Sequence, residues 1–259
     1  MKIISFSDLH LEFGIDFSVP RDDLADILIL AGDIITFGNY DPLLSLLKNW
    51  NKPVLYVAGN HEYYTKRPML LENDNFKKWA STNIPHMKFL NNESVSIEGV
   101  HFFGGTMWTD FNQSNIKAML HAQAGMNDFR LIRTLDDHTT LTAQNTIHLH
   151  DAYKQKLTAW FETPLVGPRV VISHHAPALN RNTQYKDSPL MPAFNSLDMG
   201  EIIEHYQPEL WVYGHTHECD DQFIGKTRVL SNQLGYKNGL GGFECADFMR
   251  DGCPVDVGN

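Results

Sequence analysis

Five short blocks of the chain carry residues able to bind metal ions: Asp8-Leu9-His10, Gly32-Asp33, Gly59-Asn60-His61-Glu62, Ser173-His174-His175-Ala176-Pro177 and Gly214-His215-Thr216-His217. Carboxylate, amide oxygen and imidazole together suit Mn, Fe, Zn or Co and leave positions open for water and substrate. The chemistry such a set performs is metal-assisted hydrolysis. Asp8 and His10 are alternate residues of an extended segment, so both side chains can reach one ion, although any isolated Asp-x-His is equally a turn carboxylate beside a surface histidine. Gly32 lets the backbone turn sharply, and Asp33 just after it could bridge two ions through its two oxygens. Asn60 sets a neutral oxygen beside His61, or serves simply as the turn that Gly-Asn favours. His215 and His217 offer two imidazoles two residues apart. Of the adjacent His174 and His175, one can face inward while the other supports it or contacts substrate, and the pair itself leaves open which.

Each block follows an apolar run rich in β-branched or aromatic residues and too short for a helix: 2–6, 27–31, 54–58, 170–172 and 210–213. These read as buried strands. Asp41-Pro42-Leu43-Leu44 opens a helix, with Asp41 as its cap and Pro42 in the first turn, and a longer helix is expected over 143–161, with Ile147, Tyr153, Leu157 and Trp160 or Phe161 near one face. Strands alternating with helices predict an α/β layered fold. In an open α/β sheet ligands bind outside the carboxyl ends of the strands, so parallel neighbours would bring the five blocks together along one edge. Further strands within 94–103 and 227–230 could form a second sheet packed on the first. Residues 106–139 mix Trp108, Phe111, Met126, Phe129 and Arg130 with polar residues at a weak period and read as an insertion over the site. No repeat or linker divides the chain, so 1–259 reads as a single domain.

A chain of 259 residues can bury a full-sized core. Its net charge of −10 repels a phosphate backbone, so nucleic acid is not an expected partner. The three cysteines, Cys219, Cys245 and Cys253, lack the spacing of a disulfide framework or a thiolate zinc site, which fits a reducing compartment. The N-terminus shows no export signal and no segment is long and apolar enough to span a bilayer, so the chain is read as cytoplasmic with no membrane partner.

Taken in order, Asp-x-His, Gly-Asp, Gly-Asn-His-Glu, His-His-Ala-Pro and Gly-His-Thr-His resemble the calcineurin-like metallophosphoesterase superfamily, over Asp8 to His217. The resemblance implies an α/β fold in four layers, two mixed β-sheets flanked by helices, with the metal site at the carboxyl ends of the strands. It implies two divalent or trivalent transition-metal ions, one held by Asp8, His10, Asp33 and His217 and the other by Asp33, Asn60, His174 and His215. It also selects His174 over His175 as ligand. Two divalent ions, two aspartates and a bridging hydroxide leave a formal +1 that would attract phosphate in an otherwise acidic chain. The expected reaction is hydrolysis of a phosphomonoester or phosphodiester, a small molecule or nucleotide, by a metal-bound hydroxide, with His61 as the acid that protonates the leaving alkoxide. Protein serine/threonine phosphatases extend the Gly-Asp block with an Asp-Arg-Gly; here Ile34-Ile35-Thr36 follows Asp33, which speaks against a close match to them. For substrate contact the candidates are His175 and Arg130, with Arg181, Tyr64, Trp108 and Tyr185 near the same blocks. A nuclease with the same centre and a non-catalytic metal-binding scaffold are the competing readings.

Overall fold

The computed structural model describes residues 1–239 and 241–258. Among them eleven strands form two mixed sheets. The first has the order β11-β1-β2-β3-β4, where β1 is Lys2–Phe6, β2 Ile27–Ala31, β3 Val54–Val57, β4 Met87–Phe89 and β11 Val255–Asp256. The second runs β5-β6-β7-β8-β10-β9, with β5 Glu93–Ile97, β6 Val100–Gly105, β7 Arg169–Ser173, β8 Leu210–Tyr213, β9 Asp220–Ile224 and β10 Thr227–Ser231. Neighbours pair in parallel except β11 on β1, β5 on β6 and β9 on β10.

The central strands are apolar on both faces because the middle of each sheet is covered on both. Alternation sends Ile3, Ile27, Ile29, Leu55 and Val57 inward, where they pack against Val100, Phe102, Val170, Ile172 and Val212 of the second sheet. The residues between them, Ile4, Phe6, Leu28, Leu30 and Tyr56, face the other way into a cluster with Leu43, Leu46 and Leu47 of α1 (Asp41–Leu47) and Phe76 and Ala80 of α2 (Met69–Asn83). On the far side of the second sheet, Phe103, Val171, Trp211 and Tyr213 meet α6 (Ala143–Phe161) and α8 (Met199–Tyr206). The result is four layers, helix on sheet on sheet on helix. Each fully buried aliphatic or aromatic side chain contributes about 1.5–3 kcal/mol, so the alternation itself selects this stacking.

The five motif-bearing strands do not share one sheet as the sequence pattern suggested. β1, β2 and β3 lie in the first sheet and β7 and β8 in the second, and the blocks meet because the carboxyl ends of the two packed sheets fall together. Asp41 is also not a cap: it is the first helical residue of α1, and its N–H donates to Asn39 Oδ1 at 3.1 Å. α6 starts and ends where its pattern predicts, because Thr142 and Asn145 bond reciprocally across its N-terminus and Ile147, Tyr153, Leu157, Trp160 and Phe161 are buried. The weakly periodic 106–139 segment contains α3 (Phe111–Ser114), α4 (Ile116–Gly125) and α5 (Asp128–Leu131), and α4 packs on α7 (Met191–Phe194). Among the described residues no helix is long and apolar enough to cross a membrane.

Candidate metal centre

Every predicted ligand side chain sits at the joined carboxyl edge of the two sheets, and six of the seven, all but the partly exposed His217, are buried. The backbone there is unusual. Asp8, His10, Asp33, His215 and His217 all adopt positive φ, between 45° and 74°, a region that costs a residue with a side chain about 1–2 kcal/mol. Five such residues in one place persist only because surrounding contacts fix them, and this kind of strain concentrates at functional sites. The contacts are visible. Both Asp8 oxygens accept the N–H of His215, at 3.1 and 3.0 Å, and Asp33 Oδ1 accepts the N–H of His61 at 2.9 Å. Gly59 is dictated by proximity, since a Cβ there would lie 2.1 Å from Asp33 Oδ1. Gly32, at φ +88°, could carry no side chain without meeting His174 Nδ1 at 2.4 Å.

Two groups of donor atoms result. In the first, His10 Nε2 lies 3.1 Å from His217 Nε2, and His217 Nε2 is 3.4 Å from Asp8 Oδ1. In the second, His174 Nε2 is 3.1 Å from Asn60 Oδ1, 3.2 Å from His215 Nδ1 and 3.4 Å from Asp33 Oδ1. Asp33 stands between them, its other oxygen 4.0 Å from His10 Nε2. Imidazole nitrogens facing one another across carboxylates repel unless a proton or cation sits between their lone pairs. Burial pushes the Asp33 carboxyl up, but the charges of His174 and His61 outweigh it and hold it well below the ordinary range. Burial lowers His174 and His217, and the facing carboxylates more than reverse this: Asp33 carries His174 to about 9, and Asp8 with Glu244 carries His217 to about 10. A field that retains protons this firmly attracts cations equally, and the oxygen and imidazole donors fit a transition-metal ion.

Outer partners aim the rings. Glu244 Oε2 lies 2.5 Å from His217 Nδ1, the carbonyl of Ala31 2.9 Å from His174 Nδ1, and Glu12 Oε1 3.4 Å from His10 Nδ1, so in each ring Nε2 is left for the site. Asn60 is aimed by Asp128, whose Oδ1 accepts the Asn60 amide at 2.9 Å and also the Tyr64 hydroxyl. Glu62 does structural work one residue after His61. Its buried carboxylate accepts the N–H groups of Asp33, Ile34 and Gly59 and the hydroxyl of Tyr56, lashing the end of β2 to the end of β3.

His61 forms a third such group with His10 and Asp33, their ligand atoms within 4.8 Å of one another, and both of its ring nitrogens have further partners. Its Nδ1 is 3.0 Å from Glu12 Oε1 and its Nε2 2.8 Å from the Tyr236 hydroxyl. Burial disfavours its charged form, but Asp33 and Glu12 together raise its affinity for a proton.

A cavity of about 460 Å³ opens from this edge, walled by residues of 125–128, 179–195 and 215–218 with Tyr236 and Glu244. Tyr64, Asn180 and Tyr185 lie on its wall. The two proposed substrate contacts do not. His175 is buried with Nδ1 3.2 Å from the carbonyl of Thr106, between the rings of Trp108 and His215, and burial and the charge of His174 push it down to about 3. Arg130 is exposed and turned back onto Asn127, and the Arg181 guanidinium bonds the carbonyl of Phe223. Glu12, Asp128, Tyr236 and Glu244 were absent from the sequence reading. Only Glu12, two residues after His10, carried a local signal that could have exposed it. Cys219 and Cys245 also come together beside this edge, with the Cys219 N–H donating to Cys245 Sγ at 3.1 Å.

The profile of the calcineurin-like phosphoesterase family matches residues 1–219. The chain is 28% identical to "Uncharacterized protein L509" of Acanthamoeba polyphaga mimivirus, over 92% of each protein. It is 23% identical to "UPF0046 protein K07C11.7" of Caenorhabditis elegans, over 84% of this chain and 64% of that protein. Among solved structures the fold is similar to that of phosphopantetheinyl hydrolase from Mycobacterium tuberculosis, with a TM-score of 0.66, 19% identity and coverage of 91% of this chain and 89% of the other.

Proposed function

Because the chain belongs to the calcineurin-like phosphoesterase family, we propose that it hydrolyses a phosphate ester at a dinuclear metal centre. In this reading Asp8, His10, Asp33 and His217 hold one ion, and Asp33, Asn60, His174 and His215 hold the other. The observation that carries it is a pair of donor triads, Asp8, His10, His217 and Asp33, His174, His215, joined by a third, His10, Asp33, His61, with the ligand atoms of each triad within 4.8 Å of one another. Mn, Fe, Zn and Co are the metals such donors favour. When bound, the two cations supply Lewis acidity toward the phosphoryl oxygens and the means to generate a nucleophile from water at neutral pH.

The chain's own residues supply the rest. Asp33, with one oxygen toward each group, fixes the spacing of the two sites. His61 holds a proton that its carboxylate neighbours keep in place, and Nε2, on the cavity side, delivers it to the departing ester oxygen, a contribution of about 10²–10⁴-fold. Glu12 orients the ring through Nδ1, and the Tyr236 hydroxyl is the partner that Nε2 exchanges for substrate. Elemental analysis of the purified full chain, coupled to hydrolysis of an aryl monophosphate and a bis-aryl phosphodiester with each added metal, tests the assignment. About two metals per chain and metal-stimulated turnover are expected; finding neither would end this reading.

A further inference from the structure

The cavity that opens from the strand ends has an uneven chemistry. Among the described residues lining it are four carboxylates, Asp33, Asp128, Glu218 and Glu244, and no lysine or arginine. Glu218 and Glu244 are committed to the wall, the first accepting the N–H of Gln184 and the second holding His217 and the N–H of Tyr236. Apart from the histidines, the rest of the lining is uncharged, with apolar side chains set among neutral polar ones such as Asn127, Asn180, Thr183 and Ser188. Met126 contributes from just beyond α4, Leu179 and Leu190 from the loop before α7, and Met191 and Phe194 from α7 itself. Phe194 stacks on the His215 ring at 4.7 Å and 29°, so the apolar surface begins against a candidate ligand. At about 460 Å³ the space lies within the range of roughly 300–1,000 Å³ that takes an organic ligand rather than phosphate alone.

Opposite charge for an anion would be found only at the strand-end edge, where the candidate ligands would hold cations. A second phosphate or a carboxylate further out would be stripped of water against Met191 and Leu190, or would face Glu218 and Glu244, with no wall cation to neutralise it. A neutral apolar group in the same space is solvated by neither wall and gains by leaving water.

We propose that the site selects esters with a single phosphate group whose remaining part is uncharged and largely apolar, and discriminates against substrates with a second anionic group. This rests on the metal-centre reading above. Nucleoside di- and triphosphates, bisphosphates and nucleic-acid strands fall on the rejected side.

The test compares 1-naphthyl phosphate with the same ester carrying a ring carboxylate, using the full chain loaded with Mn. Wild-type kcat/KM is expected to favour the ester without the carboxylate by at least about tenfold. Met191→Lys, and Leu190→Lys as a second variant in case the first folds poorly, should shrink or invert that ratio, and comparing ratios between proteins cancels the leaving group's own reactivity. Calorimetric binding of naphthylmethyl phosphonate and its carboxylated analogue gives the same ranking without turnover. Turnover with equal preference, or preference for the carboxylated ester, overturns this proposal and leaves the metal centre standing. Selective phosphonate binding with no turnover under any metal has the reverse meaning: the pocket preference holds and the hydrolytic reading fails.

Discussion

The edge formed by the strand ends and the wall formed by the segments above it are built on different terms. Donor groups at the edge hang from β1, β2, β3, β7 and β8, each within four residues of the end of a strand buried on both faces. The wall comes from short helices and loops, among them residues 125–128 and 179–195, which have no strand to fix them. Groups on a rigid scaffold can be held in strained conformations, as the positive φ values of Asp8, Asp33 and His215 show. A loop wall exchanges side chains freely without disturbing them. In the proposed reading, chemistry therefore belongs to the edge and selectivity to the wall, and that division can be broken by experiment.

The largest effect is expected from Asp33→Ala, which removes the one side chain proposed to serve both metal positions. Turnover should fall by at least about 10³-fold, beyond what loss of a single transition-state donor costs, and elemental analysis should show metal lost from both positions. Retention of two metals per chain would mean that Asp33 is not the bridge. His61→Ala is next, with a fall of about 10²–10⁴-fold at unchanged metal content; unaltered turnover would defeat its role as proton donor. Asp128→Ala crosses the boundary, because this carboxylate stands on the wall yet aims the edge residue Asn60. Metal affinity at one of the two positions should weaken by about 10–100-fold while the other stays occupied. Equal loss at both, or at neither, would show that Asp128 serves only to pack the wall. Its outcome measures how separable the two regions are.

The smallest effect lies behind both regions, where Asp198 accepts from Lys154 at 2.6 Å and lies 3.2 Å from His150 Nε2. Burial raises the Asp198 carboxyl, but His150 and Lys154 together bring it down to about 2 from 3.8. A depressed native value means that the unfolded chain binds the proton more tightly, so the stabilisation is present above 3.8 and is lost as pH falls toward about 2. Asp198→Asn should lower the denaturation midpoint slightly at neutral pH and flatten its decline across that acid window, with the substrate ratio unaltered. A variant as steep in acid as the wild type would remove Asp198 from the account.

Much of the edge was legible because its signals are local. A short apolar run, β-branched residues and a metal-capable group just beyond the run all lie within ten or so residues, and α6 announced itself through a one-sided apolar face. The sequence by itself determined the five strands that carry the motifs, the helices α1 and α6 and the five candidate ligand blocks, since backbone preference and side-chain character act over short distances. What only the tertiary structure decided was set by contacts between distant residues. Splitting the motif strands between two sheets depends on which faces find each other. His174 rather than His175 meets Asn60 because the first ring turns toward β2 and the second toward Thr106. Glu12 reaches His61 across 49 residues, Glu244 reaches His217 across 27 and Asp128 reaches Asn60 across 68. Such pairings leave no periodic trace, since any surface-type residue in a loop can supply them, and the cation-free wall of the cavity exists only once several loops are brought side by side.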